Sequence, residues 1–212
     1  MSQSDTKQRL LDAAERLFAA KGFHNTSMRA ITSEAQANLA AVKYHFGSKD
    51  ALLEAVFARR LVPLNRLRRE RLETVRLAAR QIGRRPVATE VLRAFVEPTL
   101  VFRDRGAGAE AFVRLVGRAI AEPDDTIRRI FMQLMNPLFI LLYDTLGEAL
   151  PQLSETERFW RLHFAIGSLS HAMCLIGHFQ ILPVGVISRP DATALTAMML
   201  TFLTAGMEAP CA

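Results

Sequence analysis

A chain of 212 residues, half of them hydrophobic, has room for one large domain or two small ones. Its net charge of +6 and pI near 10.0 favour anionic partners. Its two cysteines, Cys174 and Cys211, exclude a disulfide framework and fit a reduced cytosolic setting.

Helical periodicity runs through the whole chain and no alternating strand pattern appears, so the expected fold class is all-α. The opening MSQSDTKQRLLDAAERLF is polar and then amphipathic, without the apolar centre of a signal peptide. A first helix is predicted from Ser4 to Lys21, with Leu10, Leu11, Ala14, Leu17 and Phe18 on one face and Gly22 as a left-handed stop. Thr26 or Ser27 caps a second short helix, MRAITSEA, with Ile31 and Ala35 inward. A polar break, QAN, precedes a third from Leu39 to about Phe46; Gly47 ends it, and Ser48 caps the fourth, with Asp50 in its first turn.

The fourth helix is expected to bend or stop near Pro63, and an Arg-rich helix to follow over 65–81. Residues 59–85 hold ten Arg against two Glu, a basic stretch or a solvated helix face, while 86–212 hold ten basic and thirteen acidic residues. Further helices fit 88–102, 109–121 and 124–149, the last with a kink at Pro137. Ser154 and Glu157 form the pattern of a capping box. Behind it, Phe159, Leu162, Ile166, Leu169, Met173 and Ile176 recur at alternating spacings of three and four, a seam that requires a helix packed nearly parallel. A last apolar helix, 191–207, carries Leu195, Met198, Phe202 and Leu203. Residues 162–182 come closest to a membrane span, but three His, two Ser and a Gln interrupt them, so a buried helix and no membrane partner are expected.

The stretch SMRAITSEAQANLAAVKYHF, residues 27–46, places two short helices around a three-residue turn, which suits a helix-turn-helix whose second helix enters a DNA major groove. On that helix Leu39, Val42 and Phe46 are expected to face inward. Ala40, Lys43 and Tyr44 then face outward, with Ala41 and His45 at the margins. Alanine permits close approach and touches thymine methyls, while Lys and Tyr reach bases or phosphates. The start of the next helix, GSKD, offers backbone N–H groups and Lys49 to a phosphate.

Thr6 to Leu52 resembles the DNA-binding domain of the TetR (tetracycline-repressor-like) family of transcriptional regulators, through AAERLFAAKGF, TSMRAI and above all YHFGSKDAL. The resemblance implies an N-terminal three-helix helix-turn-helix domain, 4–64, and a larger C-terminal helical domain, 65–212, for ligand binding and dimerisation. It implies a cytoplasmic homodimer on a double-stranded operator, most simply a repressor released by a small apolar effector, with no enzyme activity and no cofactor. By motif position the DNA contacts are Ser27, Arg29, Ala40, Ala41, Lys43, Tyr44, His45 and Lys49. Two departures stand out: Gln36 occupies a turn position where the family usually has Gly, and Lys43 replaces a frequent Tyr.

AAVKYHFGSKDALLEAVFARRLVPLNRLRRERL, with the later FVRLVGRAIAEP, is also similar to the PsrA-like, fatty-acid-responsive branch, which implies a fatty acid or acyl-CoA effector. Phe95, Phe102, Phe112, Leu115, Phe131, Met132, Met135 and Phe139 are candidate pocket residues or plain core, and Arg114 and Arg118 candidate anchors for an acidic head group. The 155–178 seam and the last helix, through Leu195 and Phe202, are expected to give two helices per subunit to a dimer interface. Two other classes remain: a hydrophobic-ligand carrier without DNA binding, and a metal-binding protein built on His171, Cys174 and His178, which share a helix face at i, i+3 and i+7.

Overall fold

The computed structural model describes residues 3–121, 125–175, 185 and 190–211. Among them the chain forms helices α1 Gln3–Lys21, α2 Met28–Glu34, α3 Leu39–His45, α4 Lys49–Gln81, α5 Ala88–Arg103, α6 Ala107–Ala121, α7 Asp125–Ala149, α8 Glu155–Leu175 and α9 Ala192–Glu208, and no strand. The helices assemble into two units. The first comprises Met1–Pro63 with Arg105–Met135, the second Leu64–Asp104 with Asn136–Ala212.

In the first unit, Leu10, Leu11, Ala14, Leu17 and Phe18 of α1 are all buried, as their spacing predicts. Helix α1 packs on α2, α3 and α6. Gly22 takes φ 82° and its N–H bonds to Phe18 O at 3.0 Å, which stops α1. The two candidate caps of α2 have different jobs. Ser27 Oγ accepts from Ala30 N at 3.1 Å, whereas the buried Thr26 hydroxyl donates back to Gly22 O at 2.8 Å and ties the loop to α1. Asn38 caps α3, its Oδ1 accepting from Ala41 N at 2.8 Å, and Ser48 caps α4 through Ala51 N at 3.1 Å. Phe57 of α4 lies 6.0 Å from the Phe112 ring and 5.7 Å from that of Phe131, so the early turns of α4 share one aromatic cluster with α6 and α7. That cluster is why 105–135 belongs with the first unit.

A buried carboxylate adds to this unit. Glu15 Oε2 accepts from Arg59 Nη2 at 2.6 Å and its Oε1 from Arg60 Nη2 at 2.9 Å, while Arg59 Nη1 reaches Asp12 at 2.6 Å. The paired carboxylate raises the Arg60 pKa, chiefly through their hydrogen bond.

Pro63 neither stops α4 nor divides it in two: the helix continues unbroken for 33 residues. Proline inside a helix costs about 3 kcal/mol. Pro63 lies on the exposed side, and the buried Leu61, Leu64 and Leu72 on either side of it offset that cost. Helix α7 likewise runs through Pro137, which is also exposed.

In the second unit α9 packs on α5 and α8. The capping box at the start of α8 is formed: Glu157 N bonds to Ser154 Oγ at 3.2 Å, and Ser154 N reaches back to Glu157 Oε2 at 3.3 Å. The hydroxyl of Ser154 also donates to Glu157 Oε2 at 2.9 Å, and these bonds hold the carboxyl of Glu157 below the usual range. Arg161 of α8 donates to the carbonyls of Met207, Ala209 and Pro210, at 3.0, 2.6 and 3.0 Å, and so caps the C-terminus of α9. Most of the Arg-rich run is spent within the protein. Besides Arg59 and Arg60, Arg71 pairs with Glu97 at 3.2 Å, and Arg76 and Arg80 both pair with Glu148.

Within α7, Thr126–Ala149 is the stretch among the described residues long and apolar enough to cross a bilayer. Its Ile127, Ile130, Phe131, Met135, Leu138, Leu142 and Leu146 are all buried in the protein, while Ile140 is exposed.

Candidate functional site

The α2–turn–α3 segment has the local chemistry of a helix-turn-helix. Ile31, Ala35 and Val42 are buried, and α3 packs on α1 and α2. Between the helices Gln36 sits at φ 48°, the left-handed conformation in which an L-residue with a Cβ is strained. The turn is therefore kept in spite of its sequence. Gln36→Gly should raise stability by about 1 kcal/mol and Tm by about 2–4 °C, read by thermal melting. An unchanged or lower Tm would show that the turn carries no such strain.

Ala40, Lys43 and Tyr44 are exposed on α3, Tyr44 by 73%, and Ala41 and His45 are half-buried at the margins. The His45 ring lies 5.1 Å from Tyr44 and 6.1 Å from Phe46, so aromatic contacts on both sides restrain it. Arg29 is exposed on α2. Ser27 is exposed with its oxygen engaged as the α2 cap, which leaves the hydroxyl proton to donate. Lys49 stands at the start of α4 with Nζ 4.3 Å from the centre of the Phe23 ring. The ring positions the ammonium beside the exposed N-terminal turn.

Leu39 departs from its expected inward place. It is 52% exposed, while Val42 is fully buried and Phe46 half-buried. Helical side chains lean toward the N-terminus, and Leu39 is the first residue of α3, so it projects off the helix end instead of onto α1. Periodicity treats it like any other apolar position; its place directly after the Asn38 cap is the signal that marks it out. The exposed surface of α3 thus presents Leu39, Ala40, Lys43 and Tyr44: two apolar contacts, one cation and one phenol.

Of the candidate pocket residues, Phe95, Phe102, Phe112, Leu115, Phe131 and Met135 are buried and Met132 and Phe139 half-buried, and they fall in two units. Phe112, Leu115, Phe131 and Met135 lie in the first unit, and the first and third of these surround Phe57. Phe95, Phe102 and Phe139 lie in the second, with the Phe95 and Phe139 rings 6.0 Å apart. Arg114 is exposed and paired with Glu110 at 2.6 Å, and the side chain of Arg118 lies outside the described residues.

The α8 seam also divides. Leu162 and Leu169 are buried within the subunit, Ile166 and Met173 are half-buried, and Ile176 lies outside the described residues. The apolar surface left outward comprises Phe159, Trp160 and Phe164 on α8, with Met198 and Phe202 on α9; Leu195 is half-buried. Phe164 is 66% and Phe202 68% exposed. Of the three residues at ligand-like spacing, His171 is exposed, and His178 and the side chain of Cys174 lie outside the described residues. The described residues contain no group of three His, Cys, Asp or Glu side chains arranged for a metal ion.

Known proteins add to this geometry. Residues 10–56 match the family described as bacterial regulatory proteins, tetR family, and residues 93–206 match the tetracyclin repressor-like C-terminal domain. The nicotine-responsive transcriptional repressor HdnoR of Paenarthrobacter nicotinovorans is 44% identical over 66 residues, 31% of this chain and 34% of that protein. The chain thus matches about a third of that relative's length. The regulator FadR of Bacillus subtilis, solved with stearoyl-CoA, superposes with a TM-score of 0.64 at 17% identity, over 94% of this chain and 98% of that one. AibR, solved with isovaleryl coenzyme A and operator DNA, gives 0.62 at 19%, over 94% and 98%. At these identities the two structures establish the fold.

Proposed function

Since the chain belongs to the tetR family of bacterial regulatory proteins, with a helix-turn-helix for DNA, we propose that it is a dimeric cytoplasmic repressor released from its operator by an apolar effector. The observation that carries this reading is the outward face of α3. A short helix that exposes Leu39, Ala40, Lys43 and Tyr44 while Val42 anchors it has small groups for close approach and polar groups for edges and phosphates. Two such helices, one per subunit, read half-sites about 34–36 Å apart in successive major grooves. Ser27, Arg29, Ala41, His45 and Lys49 surround that face. Arg29 reaches a base edge, and Lys49 grips phosphate without contributing to sequence choice.

The dimer forms through the outward apolar faces of α8 and α9, with Phe159, Trp160, Phe164, Met198 and Phe202 at its centre. Both helices belong to the second unit, where α8 and α9 pack together. The effector binds in the second unit, beside Phe95 and Phe139. Helix α4 links it to the reader, since residues 49–63 belong to the first unit and 64–81 to the second. Ligands in the solved relatives, stearoyl-CoA for FadR and isovaleryl coenzyme A for AibR, support an acyl effector. Its effect on operator affinity is bounded by its differential affinity for the two conformations.

Fluorescence anisotropy with an operator selected from genomic fragments tests the reader. Arg29→Ala should cost about 1–3 kcal/mol, roughly 5- to 150-fold in Kd, and relax preference at one base position. Lys43→Ala should weaken binding and lower the salt slope by about one. If both variants bind like the wild type, α3 is not the reading helix.

A further inference from the structure

Arg68 lies on α4 in the second unit and is 4% exposed. Its Nη1 donates to Asn65 Oδ1 at 2.8 Å and its Nη2 to Thr99 Oγ1 at 2.6 Å, both neutral acceptors. The guanidinium stacks over the Phe95 ring, 4.6 Å from its centre, and the buried Nε has no acceptor. Arg103, the other buried arginine among the described residues, is paired with Asp104 at 2.7 Å, and the half-buried Arg59, Arg60, Arg71 and Arg76 each hold a carboxylate. Arg68 has no carboxylate partner among the described residues.

Burial alone pulls the pKa of Arg68 down to about 9, with no acid opposing the shift, so the side chain still carries its charge near neutral pH. A charge removed from water is ordinarily compensated by an opposite charge, and a guanidinium fork matches a carboxylate or phosphate. Here the fork is held in place by Asn65, Thr99 and the Phe95 ring, which engage two of its five N–H donors and leave Nε without an acceptor. The Phe95 ring in turn lies 6.0 Å from that of Phe139. The unmatched charge and the aromatic wall describe complementary halves of one ligand.

We propose that Arg68 is the anion subsite of the second unit, receiving the carboxylate or phosphate head of a ligand whose apolar body lies against Phe95 and Phe139. This rests on the reading that the second unit binds an effector, and names the residue that selects its head group.

Isothermal titration calorimetry on the full chain, with decanoate, decyl phosphate, decanoyl-CoA and uncharged methyl decanoate as probes, tests it. Wild type should bind at least one anionic probe about ten-fold or more tighter than the ester. Decanoate or decyl phosphate alone as the preferred probe identifies the head group. Arg68→Met should abolish the preference, hold ester affinity within about threefold, and melt no lower than wild type, because an uncompensated buried charge gives way to an apolar side chain. Arg68→Lys, which keeps the charge and loses the planar fork, should retain part of the preference and serves if the Met variant does not fold. Equal affinity for anion and ester in wild type overturns the assignment, as does wild-type anion preference in Arg68→Met or, where only that variant folds, in Arg68→Lys. Operator release separates this from the effector reading. Release by an anionic probe from wild type and Arg68→Met alike removes Arg68 and keeps the effector. Lost anion preference in Arg68→Met, with operator occupancy untouched by every probe, keeps Arg68 and removes the effector.

Discussion

Phe164→Glu with Phe202→Glu should convert the proposed dimer to a monomer and reduce operator affinity by at least about 100-fold. Both side chains are largely exposed within the subunit, so the subunit itself should keep its helical content and its melting transition. Burying a Phe stabilises by about 1.5–3 kcal/mol, and a two-fold interface uses each residue twice. Four buried rings therefore supply roughly 6 kcal/mol or more, about four orders of magnitude in dimer Kd, before the cost of burying glutamates is added. Operator affinity falls because a monomer engages one half-site and forgoes the effective concentration that links the two, a factor of about 10²–10⁴. Analytical ultracentrifugation and anisotropy read the two consequences separately. A double variant that sediments as a dimer and binds like wild type would place the interface elsewhere. Leu169→Glu, the substitution that the α8 seam suggests, is a poorer probe. Leu169 is buried in the subunit's own core, and a charge there destabilises the fold whatever the interface is.

Glu15→Ala should lower stability by about 3 kcal/mol and Tm by about 6–12 °C. The carboxylate is 3% exposed and receives hydrogen bonds from both Arg59 and Arg60, so its loss leaves two guanidiniums without their shared acceptor. The two arginines retain some solvent access, which keeps the figure at the lower end for a broken buried pair. Asp12→Ala is the control. Asp12 is half-exposed and serves Arg59 alone, so the expected loss is below about 1 kcal/mol. Urea and thermal melts of the two variants give the comparison; equal losses would mean that burial of Glu15 adds nothing. Because Glu15 lies on α1 and its partners on α4, the same substitution should weaken operator binding by loosening the base on which α3 packs.

The helices themselves were legible because their signals act over three or four residues. The 3.6-residue stripe of α1, Gly22 after its last turn, and the Ser154–Glu157 box each work within one turn of chain, and each stands where its residues predicted. The outward places of Ala40, Lys43 and Tyr44 follow from the same periodicity once Val42 is taken as the anchor. Gln36 shows the limit of such rules: the turn adopts a left-handed residue that its own side chain opposes, because packing of α2 and α3 on α1 outweighs about 1 kcal/mol of local strain.

What the sequence by itself determined is therefore the all-helical architecture, the helix-turn-helix and the face it presents. Tertiary structure alone decided which apolar stripe meets which partner. It turned Leu39 outward, took Leu162 and Leu169 into the subunit core, and continued α4 through Pro63. It also divided the phenylalanines into a cluster around Phe57 and a pair at Phe95 and Phe139, and buried Arg68 where an Arg-rich run suggested only a basic surface. The physical reason is that a hydrophobic stripe specifies that it will be covered, not by what. Burial is non-directional, and the choice between the chain's own helices, a second copy and a ligand depends on residues far apart in sequence.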